Sequence, residues 1–147
     1  EKTSSLVKDI INKEKENLKF ETFKIFQKNI IKETKNLKEK LNYFKKSKKN
    51  VIGYGAPARV STITNFANID YNDINFIIDD SPLKQGLFSP GKKIPIVASD
   101  ILQDRTTMPD YLLILAWNFA ESIIKNNASF TKAGGKFLVP IPKLKEA

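Results

Sequence analysis

Residues 50–65 read NVIGYGAPARVSTITN, and this stretch decides the fold. A short apolar run, Val51 and Ile52, passes at once into Gly53-Tyr54-Gly55-Ala56-Pro57-Ala58. Val60, Ile63 and Phe66 follow at helical spacing. Strand, glycine turn and helix in that order make a device suited to holding phosphate. Gly53 is expected to permit the tight turn, Gly55 to let a ligand phosphate reach the backbone, and small Ala58 to let helix pack on strand. Pro57 suits a first helical turn, where its missing donor is not needed. A helix N-terminus offers unpaired N–H groups and a positive dipole end, and Arg59 adds a charged fork to the same anion. The alternative is a tight strand-to-helix turn that holds no ligand.

The chain upstream of this turn is helical in pattern. Thr3, Ser4 or Ser5 can cap a helix running to about Lys19, with Leu6, Val7, Ile10 and Ile11 as its apolar stripe. A second pattern runs over residues 21–46, with Phe23, Phe26, Ile30, Leu37, Leu41 and Phe44 on one face. At 1.5 Å per residue that helix is roughly 40 Å long, more than a small sheet needs for cover. It reads as a linker or docking surface, or else as a two-helix cap on the sheet. Residues 1–49 are therefore assigned to a helical linker or docking segment, and residues 50–147 to the sheet domain.

Downstream, residues 74–78 (INFII) predict a buried strand ending in Asp79-Asp80. Asp79 lies 24 residues beyond Gly55, near the spacing at which dinucleotide-binding folds place an acid on a ribose hydroxyl. A loop carboxylate capping a turn is the alternative. Residues 81–95 contain Pro82, Gly86, Pro90, Gly91 and Pro95 and predict a long irregular loop, functional or mobile. Lys84, Gln85, Lys92 and Lys93 give it donors for an anionic, hydroxyl-rich ligand, unless they serve solubility alone. A short strand at 96–97 and a helical turn at 98–103, capped by Ser99 or Asp100, come next. Residues 111–116 (YLLILA) are apolar without alternation, as in a parallel strand covered on both faces. That strand ends at Trp117-Asn118, on the edge where open α/β sheets bind ligands. A helix over 119–128 and a last strand over 136–141 complete the chain, with Pro140 and Pro142 suiting a sheet edge or a strand end. The expected fold is α/β: a Rossmann-like, mostly parallel sheet of about five strands with helices on both faces, preceded by two helices.

Composition narrows the chemistry. The chain has neither cysteine nor histidine, which removes disulfides, thiolate metal sites and the commonest general base. No metal site and no catalytic residue is assigned. No apolar run spans a bilayer and no signal peptide is visible, so the cytoplasm is the expected compartment and no membrane partner is expected. The first residue is Glu1 rather than Met, which reads as a fragment or a processed chain. The net charge of +9 is uneven: residues 1–50 hold fifteen lysines against seven acids. Only two arginines occur in the whole chain, whereas a nucleic-acid footprint wants clustered arginine and exposed aromatics. Nucleic acid is therefore not the expected partner.

Five pieces taken together resemble one family. GYGAPAR at 53–59, INFIIDD at 74–80, SPLKQGLFSPGKKIPI at 81–96, PDYLLILAWN at 109–118 and GGKFLVPIPK at 134–143 are similar, in this order, to the C-terminal domain of SAM-dependent sugar C-methyltransferases. The two leading helices also look like that family. The resemblance implies a Rossmann-like domain that helps hold a nucleotide diphosphate deoxysugar at an interdomain cleft. It implies that SAM and zinc belong to a preceding part of the parent protein, and that no cofactor binds in this fragment. The parent reaction implied is removal of a proton beside a keto group and transfer of a methyl to the resulting carbanion. This chain would then be a binding half, partnered by the SAM-binding domain and not catalytic alone. The substrate-binding residues expected are Gly53, Tyr54, Gly55, Ala56, Pro57, Ala58, Arg59, Asp79, Lys84, Gln85, Trp117 and Asn118.

Two other functions compete. GxGxxA followed by Asp79 is a permissible fingerprint for an NAD-binding oxidoreductase or sensor, although no proton-transfer pair is evident. A helical protein-interaction module built on residues 1–49 is the other. SAM at the glycine turn is disfavoured, because Lys48, Lys49 and Asn50 stand where an acid normally precedes three glycines.

Overall fold

The computed structural model describes residues 4–103 and 107–147, which form two compact units, Glu1–Lys32 and Glu33–Ala147. Helix α1 is Ser5–Asn17, and α2 is Phe20–Lys46. Ser4 supplies the N-cap of α1, its hydroxyl accepting from the Val7 N–H at 3.4 Å. Thr3, the other candidate cap, lies outside the described residues. In the first unit α1 buries none of its residues. Leu6 and Phe20 are 67% and 72% exposed, and Phe23 and Phe26 are exposed as well, so the first part of the apolar row predicted from spacing lies exposed, whereas its members Leu37, Leu41 and Phe44 in the second unit are buried.

The second unit is a six-stranded sheet. Its strands are β1 Val51–Tyr54, β2 Ile77–Ile78, β3 Ile96–Val97, β4 Tyr111–Ile114, β5 Lys136–Val139 and β6 Lys145–Glu146, in the order β3-β2-β1-β4-β5-β6. All pairs are parallel except β5 with β6. This is the order of doubly wound dinucleotide-binding sheets, with its reversal between β1 and β4. The expectation of a mostly parallel α/β sheet holds, with six strands instead of about five.

Both faces are covered, which explains the unbroken apolar runs. Along β4, Leu113 faces the cluster containing Leu37, Leu41 and Phe44 of α2 and Ile63 of α3 (Val60–Phe66). Leu112 and Ile114 face the opposite cluster, which includes Phe130 of α5 (Ala128–Lys132) and Ile123 of α4 (Ala120–Asn126). Phe44 stacks on Tyr111 with centroids 4.0 Å apart. Each buried aliphatic side chain here contributes about 1.5–3 kcal/mol relative to exposure. Trimming one methylene, as in Ile63→Val, is expected to cost about 1 kcal/mol in urea unfolding without changing the slope.

Four local expectations are corrected. The strand predicted over 74–78 hydrogen-bonds as a strand only at Ile77–Ile78, while Ile74 is buried as a core residue outside it. The helix expected over 119–128 divides: a 3-10 turn at Trp117–Phe119 leads into α4, and Asn127 separates α4 from α5. The long loop is tied down. Gly86 N–H donates to Ile96 at 2.9 Å, Ile96 N–H to Leu87 at 2.9 Å and Ser89 N–H to Ile94 at 2.9 Å. Lastly, the strand expected over 136–141 stops at Val139, so Pro140 stands at a strand end, one of its two expected places, and β5 is not the edge. The two-residue β6 pairs with it, Phe137 and Ala147 exchange backbone bonds of 2.9 and 3.0 Å, and Lys40 bridges Glu146 at 2.6 Å.

Candidate functional site

The bend after β1 is shaped by crowding. Gly53 lies inside β1, and a methyl there would stand 2.9 Å from both Ile77 and Leu115. It makes room between strands; it does not form the turn. The turn is made by Gly55, whose φ of +83 is left-handed. A methyl on Gly55 would sit 2.7 Å from the Ala116 Cβ. Ala116 therefore fills the space that a side chain at position 55 would need. Ala58 is exposed and does not pack helix on strand; Val60 and Ile63 do. Pro57 precedes the helix, its carbonyl accepting from Val60 N–H at 2.8 Å.

Asp79 closes this bend from below. Its carboxylate accepts from Ala56 N–H at 2.6 Å, Ser81 N–H at 2.9 Å and the Lys84 ammonium at 3.2 Å. Gln85 donates to the Asp79 carbonyl at 3.0 Å. Burial raises the Asp79 pKa, but the bonds from Ala56, Ser81 and Lys84 outweigh it and hold the group below the ordinary carboxylate value. Asp79, Lys84 and Gln85 are thus brought together as one brace, joining the turn to the loop after β2.

At the strand-order reversal the Arg59 guanidinium lies over the Trp117 ring, 5.4 Å from its centroid. Arg59 and Asn118 are exposed, and Trp117 is half-buried. Trp117 and Asn118 line a cavity of about 490 Å³ at the ends of β4 and β5, with Ser122, Ile141 and Lys145.

A second cavity, about 510 Å³, opens where β1, β2 and β3 end. Tyr54 closes β1, Asp80 follows β2, and Ser99 begins the 3-10 turn Ser99–Gln103 after β3. The Tyr54 hydroxyl donates to Asp80 at 3.2 Å and accepts from the Asn127 amide at 3.4 Å. Asn127 also donates to the Ile123 carbonyl at 2.8 Å, which fixes the amide. Burial pushes the Tyr54 phenol above its usual pKa, and the Asp80 carboxylate adds to the shift.

The twelve expected residues thus fall into the bend (Gly53 to Ala58), the brace and the Arg59–Trp117–Asn118 group. Sequence reasoning missed Asp80, Asn127 and Lys145. The acid doublet held a usable signal, since neighbouring residues leaving a strand point to opposite faces. No group of three or more Asp or Glu suited to a metal ion occurs among the described residues. None of the described helices is long and apolar enough to cross a membrane.

The sequence profile of the C-methyltransferase C-terminal domain family matches residues 1–142. C-methyltransferase NovU of Streptomyces niveus is 43% identical over 95 residues, 65% of this chain and 22% of the relative. The chain therefore spans about a fifth of the length of the curated relative it matches. With the matched profile running through both leading helices, the glycine bend and β5, the chain belongs to the family of C-methyltransferase C-terminal domains.

Proposed function

We propose that this chain is the substrate-holding part of a SAM-dependent C-methyltransferase acting on a nucleotide diphosphate keto-deoxysugar in the cytoplasm. The observation that carries the reading is Arg59, exposed and stacked on Trp117 where the strand order reverses, within a family defined by carbon methylation. A planar guanidinium held on an aromatic face is pre-organised for a two-pronged bond to phosphate. Asn118 and Lys145 extend the donor set along the neighbouring cavity. Gly53, Tyr54, Gly55, Ala56, Pro57 and Ala58 shape the backbone beside Arg59, and Asp79, Lys84 and Gln85 hold that backbone still. SAM, and the zinc implied by the resemblance, belong to another part of the parent protein. The exposed row of α1 and the start of α2 serves as the face on which that part packs. An amphipathic helix of 13 residues that buries nothing is marginal by itself. Amide exchange in α1 should slow when the methyl-transfer part is added, and unchanged exchange would remove that assignment.

Calorimetric titration with a dTDP-sugar, NADH and SAM tests the substrate reading. The dTDP-sugar is expected to bind, and Arg59→Ala to weaken it about tenfold through loss of one charge-assisted contact, with melting unchanged. Preferential NADH binding would overturn the reading. The dinucleotide alternative is weakened by Asp79, whose carboxylate is already engaged by Ala56, Ser81 and Lys84.

A further inference from the structure

The cavity at the ends of β1, β2 and β3 has a lining unlike that of a phosphate site. Among the described residues its polar side chains are Tyr54, Asp80, Ser99, Asn126, Asn127 and Ser129, and apolar Leu102 and Phe130 stand among them. Among the described residues no lysine or arginine lines it, and Asp80 has the Tyr54 hydroxyl as its one partner and no ion pair. A carboxylate without a cation repels phosphate and attracts hydroxyl donors. The phenol and amide beside it are held in register by their own hydrogen bonds, so they are positioned before any ligand arrives. An apolar patch beside such a rim matches the C–H face of a saturated ring. At about 510 Å³ the cavity is of a size that holds a monosaccharide or nucleoside.

We propose that the Tyr54–Asp80–Asn127 cleft binds the ring hydroxyls of an uncharged sugar, with Asp80 accepting from a hydroxyl pair and Asn127 orienting the ring. The inference deepens the nucleotide-sugar reading and rests on it for the ligand's identity. Two sources share this chemistry, the pentose of the nucleotide and the hexose it carries. Tyr54 is buried, so the site survives as a shape when its hydroxyl oxygen is removed.

The test titrates the chain with UDP-glucose, UDP, methyl glucoside and inorganic pyrophosphate, using calorimetry and amide shift maps on wild type, Asp80→Asn and Tyr54→Phe. Binding of UDP-glucose should weaken about tenfold in each variant, the loss of one hydrogen bond to a charged or positioned group. Pyrophosphate binding should not change, and the Asn127 side-chain amide should shift on titration. An equal loss for UDP places the pentose in the cleft, and a loss confined to UDP-glucose places the hexose there. Undiminished UDP-glucose binding in both variants, with shifts only around Arg59 and Trp117, overturns the cleft and leaves the substrate reading intact. If UDP-glucose moves neither group while methyl glucoside shifts Asn127 in wild type but not in Asp80→Asn, the substrate reading falls and the sugar cleft stands. Silence from all four probes overturns both.

Discussion

Replacing Asp79 by alanine is expected to destabilise the Glu33–Ala147 unit by about 3 kcal/mol, roughly 10 °C in melting temperature. The residue is buried, at 8% exposure, and the substitution strands the buried Ala56 N–H now bonded at 2.6 Å. It also removes the Ser81 bond at 2.9 Å. Lys84 contributes less, because its side chain is 41% exposed and water screens the pair. The pH dependence has a definite sign. Asp79 has a folded pKa below its unfolded one, so its contribution is fully present above the ordinary carboxylate range, near pH 4. It fades as the pH falls through the lower folded value. Asp110 and Glu146 are held low as well and share the acid limb, so the informative quantity is wild type minus Asp79→Ala. That difference should shrink toward acid. A difference independent of pH between 2 and 6 (roughly the span of carboxylate titration), or a melting change under 2 °C (less than about 1 kcal/mol), would show that the brace is not there.

Gly55→Ala is expected to cost about 2–5 kcal/mol, from two separable sources. Left-handed backbone with a Cβ costs about 1–2 kcal/mol. The new methyl, 2.7 Å from the Ala116 Cβ, adds about 1–3 kcal/mol of overpacking, since neither carbon can rotate away. The double variant Gly55→Ala/Ala116→Gly removes the collision but keeps the backbone strain, so it should recover about half of the loss and be clearly non-additive. Urea unfolding of the four proteins measures both parts. Additive losses would mean that the bend does not touch Ala116.

These two sites also show where sequence reasoning ends. A turn within residues 53–58 was legible, because glycines between an apolar run and a helical pattern have few other uses, but the sequence reading assigns the tight bend to Gly53 and the structure gives it to Gly55. What fills the space beside it was not, since Ala116 lies sixty-one residues later. The same holds for Gly53, whose neighbours Ile77 and Leu115 reach it only after three strands have paired. The parallel sheet was legible from unalternating runs such as YLLILA, which require cover on both faces. Strand β6 was not, for Lys145-Glu146 carries no pattern, and its extended shape comes from Leu138 and Val139 opposite. The Arg59–Trp117 group was visible as two strand ends. The cleft of Tyr54, Asp80 and Asn127 was not, because Asn127 reaches Tyr54 across 73 residues through a break between helices that no spacing announces.

The pairing of residues 145–147 with β5 bears on how this protein is handled in the laboratory. Deleting or disrupting those residues would bare a row of backbone donors and acceptors along Lys136–Val139. Such a rim recruits extended segments from other molecules, so preparations in which residues 145–147 are cut away should form soluble aggregates that the intact pairing prevents.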